Sequence, residues 1–193
     1  MARTREFDER QALQAAMLAF WEKGYEGTSV QDLEQAMGLG RTSIYNAFGN
    51  KRNLFNRSVS CYRESVMGNL FAAMDNAADI RAGSRALLQA ALDIHFDEAY
   101  PGGCLVVLSV LESEQHDSDS QAALSGTIQE LRKALYQRLL QARKRGELRS
   151  DLDVGTVATT ITGFMAGLMV LGKANFTRAA LGKTVTQILE LLD

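Results

Sequence analysis

Residues 28–55 read TSVQDLEQAMGLGRTSIYNAFGNKRNLF, two helical periods joined by a glycine turn and followed by a basic stretch. Thr28 and Gln31 stand at capping-box spacing, in which hydroxyl and amide satisfy orphan backbone donors, so a helix is predicted to begin near Ser29. Val30, Leu33 and Met37 recur at helical spacing, and Gly38 supplies the permissive backbone that closes the helix. After the Gly38-Leu39-Gly40 turn, a second helix directs Ile44, Ala47 and Phe48 inward. Arg41, Thr42, Ser43, Tyr45 and Asn46 are left facing out. Arginine binds guanine edges bidentately, asparagine does the same to adenine, and Ser or Thr contacts bases or phosphates. Tyr45 and Lys51 suit phosphate contacts, which fix position without reading sequence. Between Ala36 and Arg63 every charge is basic: Arg41, Lys51, Arg52, Arg57 and Arg63. Helix pairs of this kind also occur in bundles that never touch nucleic acid. The acid-free outward face favours DNA.

Working outward, Ala15-Ala16, Phe20, Gly24-Tyr25, Thr28-Ser29-Val30, Gly38-Leu39, Ser43-Ile44-Tyr45, Phe48, Lys51 and Leu54-Phe55 form one pattern. That pattern, from about Phe7 to Phe55, resembles the N-terminal DNA-binding domain of the TetR family of transcriptional repressors. The resemblance implies an all-α protein: a three-helix domain with a helix-turn-helix over residues 1–52, then a helical ligand-binding and dimerisation domain over 53–193. Its third helix, about residues 41–46, would enter the major groove, with Thr28, Ser29 and Lys51 anchoring phosphates. Asn46, Ala47 and Gly49-Asn50 depart from the family, where many relatives carry His, Tyr or Phe and then Ser or Asp. The departure bears on base preference, not on the fold.

Composition fits a cytoplasmic globular protein. The 193 residues carry a net charge of -2, so this is no generic polycation. Residues 1–60 hold eight basic and seven acidic side chains, and residues 61–193 thirteen and sixteen, a small asymmetry favouring the N-terminal part for DNA. Cys61 and Cys104 make no disulfide framework, and no signal peptide opens the sequence.

The remainder reads as helices. Asp8 caps a first helix with Leu13, Met17, Phe20 and Trp21 inward, and Gly24 ends it. From Asn50 a long linking helix is predicted to run to Ala78. Others are expected near 83–99, 103–113, 117–145, 152–173 and 178–192, with loops at Pro101-Gly102-Gly103 and 114–120. Residues 154–172 carry no charge and nearly reach membrane-spanning length, but threonine and glycine dilute them. An interface helix is the better account, and no membrane partner is expected. Gly163, Phe164, Gly167 and Leu171, with Leu181, Val185 and Ile188 on the last helix, are read as a homodimer face. Two heads about one DNA turn apart would read a pseudo-palindromic double-stranded operator.

A regulator of this kind also needs a signal. Met67, Phe71, Met74, Phe96, Cys104, Leu105, Leu108, Met165 and Met169 are candidates to line an apolar effector cavity, although core packing explains each equally well. Cys104, expected in a helix first turn, would have its thiolate stabilised by the dipole and could sense a reactive effector, although a small buried hydrophobe is the commoner role of a free cysteine. His95, Cys104, Glu112, Glu114, His116, Asp117 and Asp119 lack dense ligand spacing, so no metal and no cofactor is expected. No phosphate-binding or nucleophile motif is present, which argues against an enzyme. The sequence therefore reads as a repressor released by a small-molecule or reactive effector. An effector-independent activator or architectural protein is the alternative.

Overall fold

The computed structural model describes residues 8–112, 114 and 116–192. Phe7, Ser113 and Gln115, which fall within predicted segments, lie outside them. Among the described residues every regular element is helical.

Helix α1 spans Glu9–Gly27 and starts where the Asp8 carboxylate accepts from the Arg10 and Gln11 amides at 2.9 and 3.1 Å. It breaks at Gly24, whose φ of 73° lies in the left-handed region that glycine enters without cost. The next cap differs from the expected one. Ser29, not Thr28, caps α2 (Val30–Met37), and its box partner is Asp32, not Gln31. Gly38 closes α2 at φ 63°, as its sequence position predicts. Helix α3 (Arg41–Phe48) follows one residue beyond the turn, and Asn50 caps α4 (Lys51–Tyr62). Phe20 meets Phe55 edge to face at 5.3 Å, and Leu33, Ile44, Phe48 and Leu54 close the same core. These four helices form the N-terminal head.

The linking helix is interrupted. Arg63–Met67 forms a π-helical turn between α4 and α5 (Gly68–Asp75), and the rod ends at Asp75, before Ala78. Asp79 caps α6 (Ile80–Phe96), which therefore begins three residues earlier than expected. Helix α7 is only Leu105–Leu111, while α8 (Ser118–Lys144), α9 (Val154–Lys173) and α10 (Arg178–Ile188) keep close to their predicted limits. A 3₁₀ turn, Leu189–Leu192, ends the described chain.

Helix α9 is long and apolar enough by composition to cross a membrane. Val157, Ala158, Ile161 and Leu168 are nevertheless buried in the body. Head and body share one continuous apolar core, and polar contacts reinforce the join. The Trp21 indole donates to the Gly102 carbonyl at 2.9 Å, and Arg52 pairs with Asp117 at 2.7 Å. Buried His116 stacks on Phe55 with ring centroids 5.1 Å apart.

Candidate nucleic-acid interface and effector cavity

On α3 the inward side chains are Ile44 and Phe48, both buried, with Ala47 partly so. This anchoring leaves Arg41, Thr42, Ser43 and Asn46 exposed and Tyr45 half-buried, one contiguous outward face. The Arg41 guanidinium lies 5.4 Å from the Tyr45 ring centroid, a cation–π approach that shapes the face. Lys51 sits over the Tyr25 ring at 4.5 Å, beyond the C-terminal end of α3.

Two groups brace this helix that the sequence did not reveal as braces, and a third, Asp32, fixes the start of α2 beside it. Gly40 has no side chain to cap α3, and the Glu34 carboxylate instead accepts from the Arg41 amide at 2.6 Å. At the other end, Arg57 donates to the Ala47 carbonyl at 3.4 Å, covers the Phe48 ring at 4.8 Å and pairs with Glu9. Asp32 accepts from the Ser29 amide and hydroxyl and from Lys23. The Lys23 and Ser29 bonds hold the Asp32 carboxyl well below the usual carboxylate range. A bare glycine at an N-cap was the available signal for Glu34, since the orphan amides must find an acceptor elsewhere.

Thr28 does not belong to the outward face. It is fully buried, and its hydroxyl donates to Gly24 and Ala19 carbonyls at 2.6 and 3.3 Å, tying the end of α1 to the start of α2. Ser29 is exposed, but its hydroxyl is engaged by Asp32.

A cavity of about 50 Å³ lies between the end of α4, the π turn, α5, α6, α7, α8 and α9. Of the residues expected to line it, Met67, Cys104, Met165 and Met169 do. Phe71, Met74, Phe96, Leu105 and Leu108 do not. Phe71 lies under the Arg138 guanidinium at 4.6 Å, and Phe96 packs on the His95 ring. Met74 faces Gly83, Leu105 is buried core, and Leu108 lies by Gly103. The walls hold no Asp, Glu, Lys, Arg or His. Thr127 and Thr162 reach the cavity with hydroxyls donated to carbonyls one turn back, Ala123 and Ala158, at 2.8 Å.

Two further polar groups on the wall are bonded to each other: the Tyr62 hydroxyl donates to Cys104 Sγ at 3.2 Å. Cys104 occupies the N-cap position of α7 rather than its first turn. Burial pushes its thiol up, against the smaller downward pulls of Tyr62 and of the Val107 and Val106 amides. The dipole therefore does not give Cys104 a low thiol pKa, and its surroundings match the small buried hydrophobe of the alternative reading. Burial likewise holds the Tyr62 phenol well above its ordinary value.

On the outer faces of α9 and α10, Gly163 and Leu171 are exposed, while Phe164, Gly167 and Ile188 are half-buried. Leu181 and Val185, expected on the same face, are fully buried within the protomer. An apolar stripe on α10 exists, but it faces the chain's own core. Exposed Val170 and Leu191 take their place among the outward apolar side chains. Two of the metal candidates serve structural ends: His95 accepts from the Gly103 amide, and Asp117 caps α8.

Two family models match the chain. One, described as bacterial regulatory proteins of the tetR family, covers residues 12–57, and the other, a tetracyclin repressor-like C-terminal domain, covers 84–188. The uncharacterized HTH-type transcriptional regulator YezE of Bacillus subtilis is 29% identical over the whole of both chains. The HTH-type transcriptional repressor ComR of Escherichia coli is 26% identical, covering 87% of this chain and 80% of that protein. Among solved structures, a cysteine mutant of the TetR family transcriptional regulator CifR, complexed with 26bp double-strand operator DNA, is 33% identical. It superposes with a TM-score of 0.89, covering 97% of this chain and 98% of that one.

Proposed function

This chain belongs to the TetR family of DNA-binding transcriptional regulators, and from that premise we propose how its own residues perform the task. The protein is a homodimeric repressor that grips double-stranded operator DNA through α3 of each protomer. Residues 1–52 serve as the reading domain and 53–193 as the regulatory domain; the two matching family models span 12–57 and 84–188. The carrying observation is the exposed α3 face, held by buried Ile44 and Phe48 and by bonds at both helix ends. Arg41 and Asn46 read base edges, Thr42 and Ser43 contact bases or phosphates, and Tyr45, Lys51 and Ser29 meet the backbone. Buried Thr28 holds the α1–α2 corner and takes no part in the contact. Such a regulator works in the cytoplasm, where its operator is.

The cavity is the effector site. A charged guest would be buried there without a partner, at a cost of several kcal/mol. The fitting effector is therefore small, uncharged and mainly apolar. Met67, Met165 and Met169 have unbranched side chains that repack around guests of different shape. Binding favours a dimer whose heads are wrongly spaced for the operator, and repression is relieved by that shift.

Gel shifts against a randomised operator pool test the reading face. Tyr45→Phe and Lys51→Ala should weaken binding to every sequence, whereas Arg41→Ala and Asn46→Ala should each cost about 1–3 kcal/mol and relax preference at one position. Unchanged binding in all four would sink the assignment. A thermal-shift screen of neutral apolar compounds, read together with operator release, tests the cavity. If none shifts both, the effector-independent regulator is the better reading.

A further inference from the structure

We propose that the Pro101–Cys104 loop carries the state of the cavity to the reading head, with Trp21 as the positioning residue that receives it. The inference rests on the reading of the cavity as the effector site. One end of the loop, Gly103 and Cys104, forms part of the cavity wall. The other end is bonded to the head, because the Gly102 carbonyl accepts from the buried Trp21 indole of α1 at 2.9 Å. The carbonyl that Trp21 holds and the wall residue Gly103 thus share one peptide unit.

The loop is built to transmit rather than absorb a displacement. Gly102 and Gly103 stand at φ 74° and 72°, and both are buried. A Cβ on Gly102 would come within 3.1 Å of the His95 carbonyl, and one on Gly103 within 3.2 Å of Leu108 and Lys173. Clamps hold it from two helices: the Gly103 amide donates to His95 Nδ1 at 2.6 Å, and Lys173 Nζ donates to the Pro101 carbonyl at 2.8 Å. Lys173 ends α9, the helix whose outer face is assigned to the partner protomer, so cavity wall, dimer helix and head meet at one loop.

A second contact runs beside the first. Tyr62 bonds Cys104 with its hydroxyl and meets Trp21 edge to face at 5.0 Å. A guest that pushes Cys104 or takes over the Tyr62 hydroxyl disturbs both routes, and both end on Trp21.

Trp21 is the only tryptophan in the chain, so its indole N–H gives a single resonance. Cyclohexane, a neutral guest without an aromatic ring current, is titrated into the full-length protein while that resonance and the methionine methyls are followed. Methyl and indole signals should move together. Methyl shifts with a static indole signal would overturn the relay and leave the cavity standing; no shift in either would overturn both. In parallel, Ala166→Leu and Ala91→Leu fill the cavity from opposite helices, and operator affinity is measured with Trp21 and with Trp21→Phe, which keeps a ring but loses the donor. Filling should lower affinity about tenfold with Trp21 and less than about threefold with Phe. Equal loss in both backgrounds rejects the relay, and no loss in either rejects the effector site with it.

Discussion

Glu34 shows how one carboxylate can set the position of a reading helix. Its bond to the Arg41 amide does the work of the side-chain cap that Gly40 lacks. Glu34→Ala should therefore cost about 1 kcal/mol of stability, the usual worth of a cap. Denaturant melts check this, and an unchanged midpoint would show that water replaces the carboxylate without loss. Gly172 offers a sharper case, because a Cβ there would run into the His95 imidazole. Gly172→Ala should destabilise by about 1–3 kcal/mol as an overpacked contact. In a His95→Ala background the same change should be neutral or stabilising, since alanine is the better helix former. Similar costs in both backgrounds would refute the clash.

At this scale the sequence was legible where one residue type does one job, as Asp8, Asn50 and Gly38 do. It failed at Thr28-Ser29, two neighbouring hydroxyls with an acceptor partner each at capping-box spacing. Burial decides which hydroxyl caps, and burial depends on α1 packing beside it.

Among the elements, α6 joins two others through His95. The neutral ring accepts from the Gly103 amide, and its edge lies against Gly172 of α9, with Lys173 the charged neighbour and Phe96 packed on its face. Burial lowers the His95 pKa, aided by Lys173 and opposed by the Gly172 carbonyl. The sign follows from linkage: an unfolded histidine takes its proton near pH 6.5, the folded one only at lower pH. Stability from this group is present above about pH 6.5 and is lost as the pH falls toward the folded value. Melting temperatures taken from pH 7.5 down to 5.5 should decline, and His95→Gln should flatten the decline. An unaltered slope would remove His95 from the account.

Helices α8 and α9 were legible because long apolar periods and aspartate caps agree. The π turn at Arg63–Met67 was not, because its residues have the same apolar spacing as an α-helix running through them. The α10 stripe was visible in Leu181 and Val185, yet periodicity states only that a face is covered, not by what. Cavity lining failed for the same reason: Phe71 and Met67 are alike in the sequence, yet Met67 lines the cavity while Phe71 lies under the Arg138 guanidinium.

For the whole molecule, the distinction between a covered face and an open one makes dimerisation testable. Gly163 and Gly167 have nothing within 4 Å of the position a Cβ would take, and Phe164, Val170 and Leu171 flank them on the same helix. Small residues among apolar ones allow close approach of a second helix, and a twofold interface brings the same patch of each copy together. Gly167→Arg should then place two like charges at the contact while leaving the protomer core untouched. Sedimentation should show a folded monomer, and affinity for a complete pseudo-palindrome should fall about 10²- to 10⁴-fold, toward that for a half-site, because the second head no longer binds as part of the same particle. Leu181→Ala is the contrasting change. It opens a hole in the protomer's own core and should cost about 2–5 kcal/mol in denaturation, with the surviving folded protein still sedimenting as a dimer. A Gly167→Arg protein that remains dimeric and keeps full operator affinity would move the interface off α9, and the loop that links Lys173 to the head would then act within one protomer only.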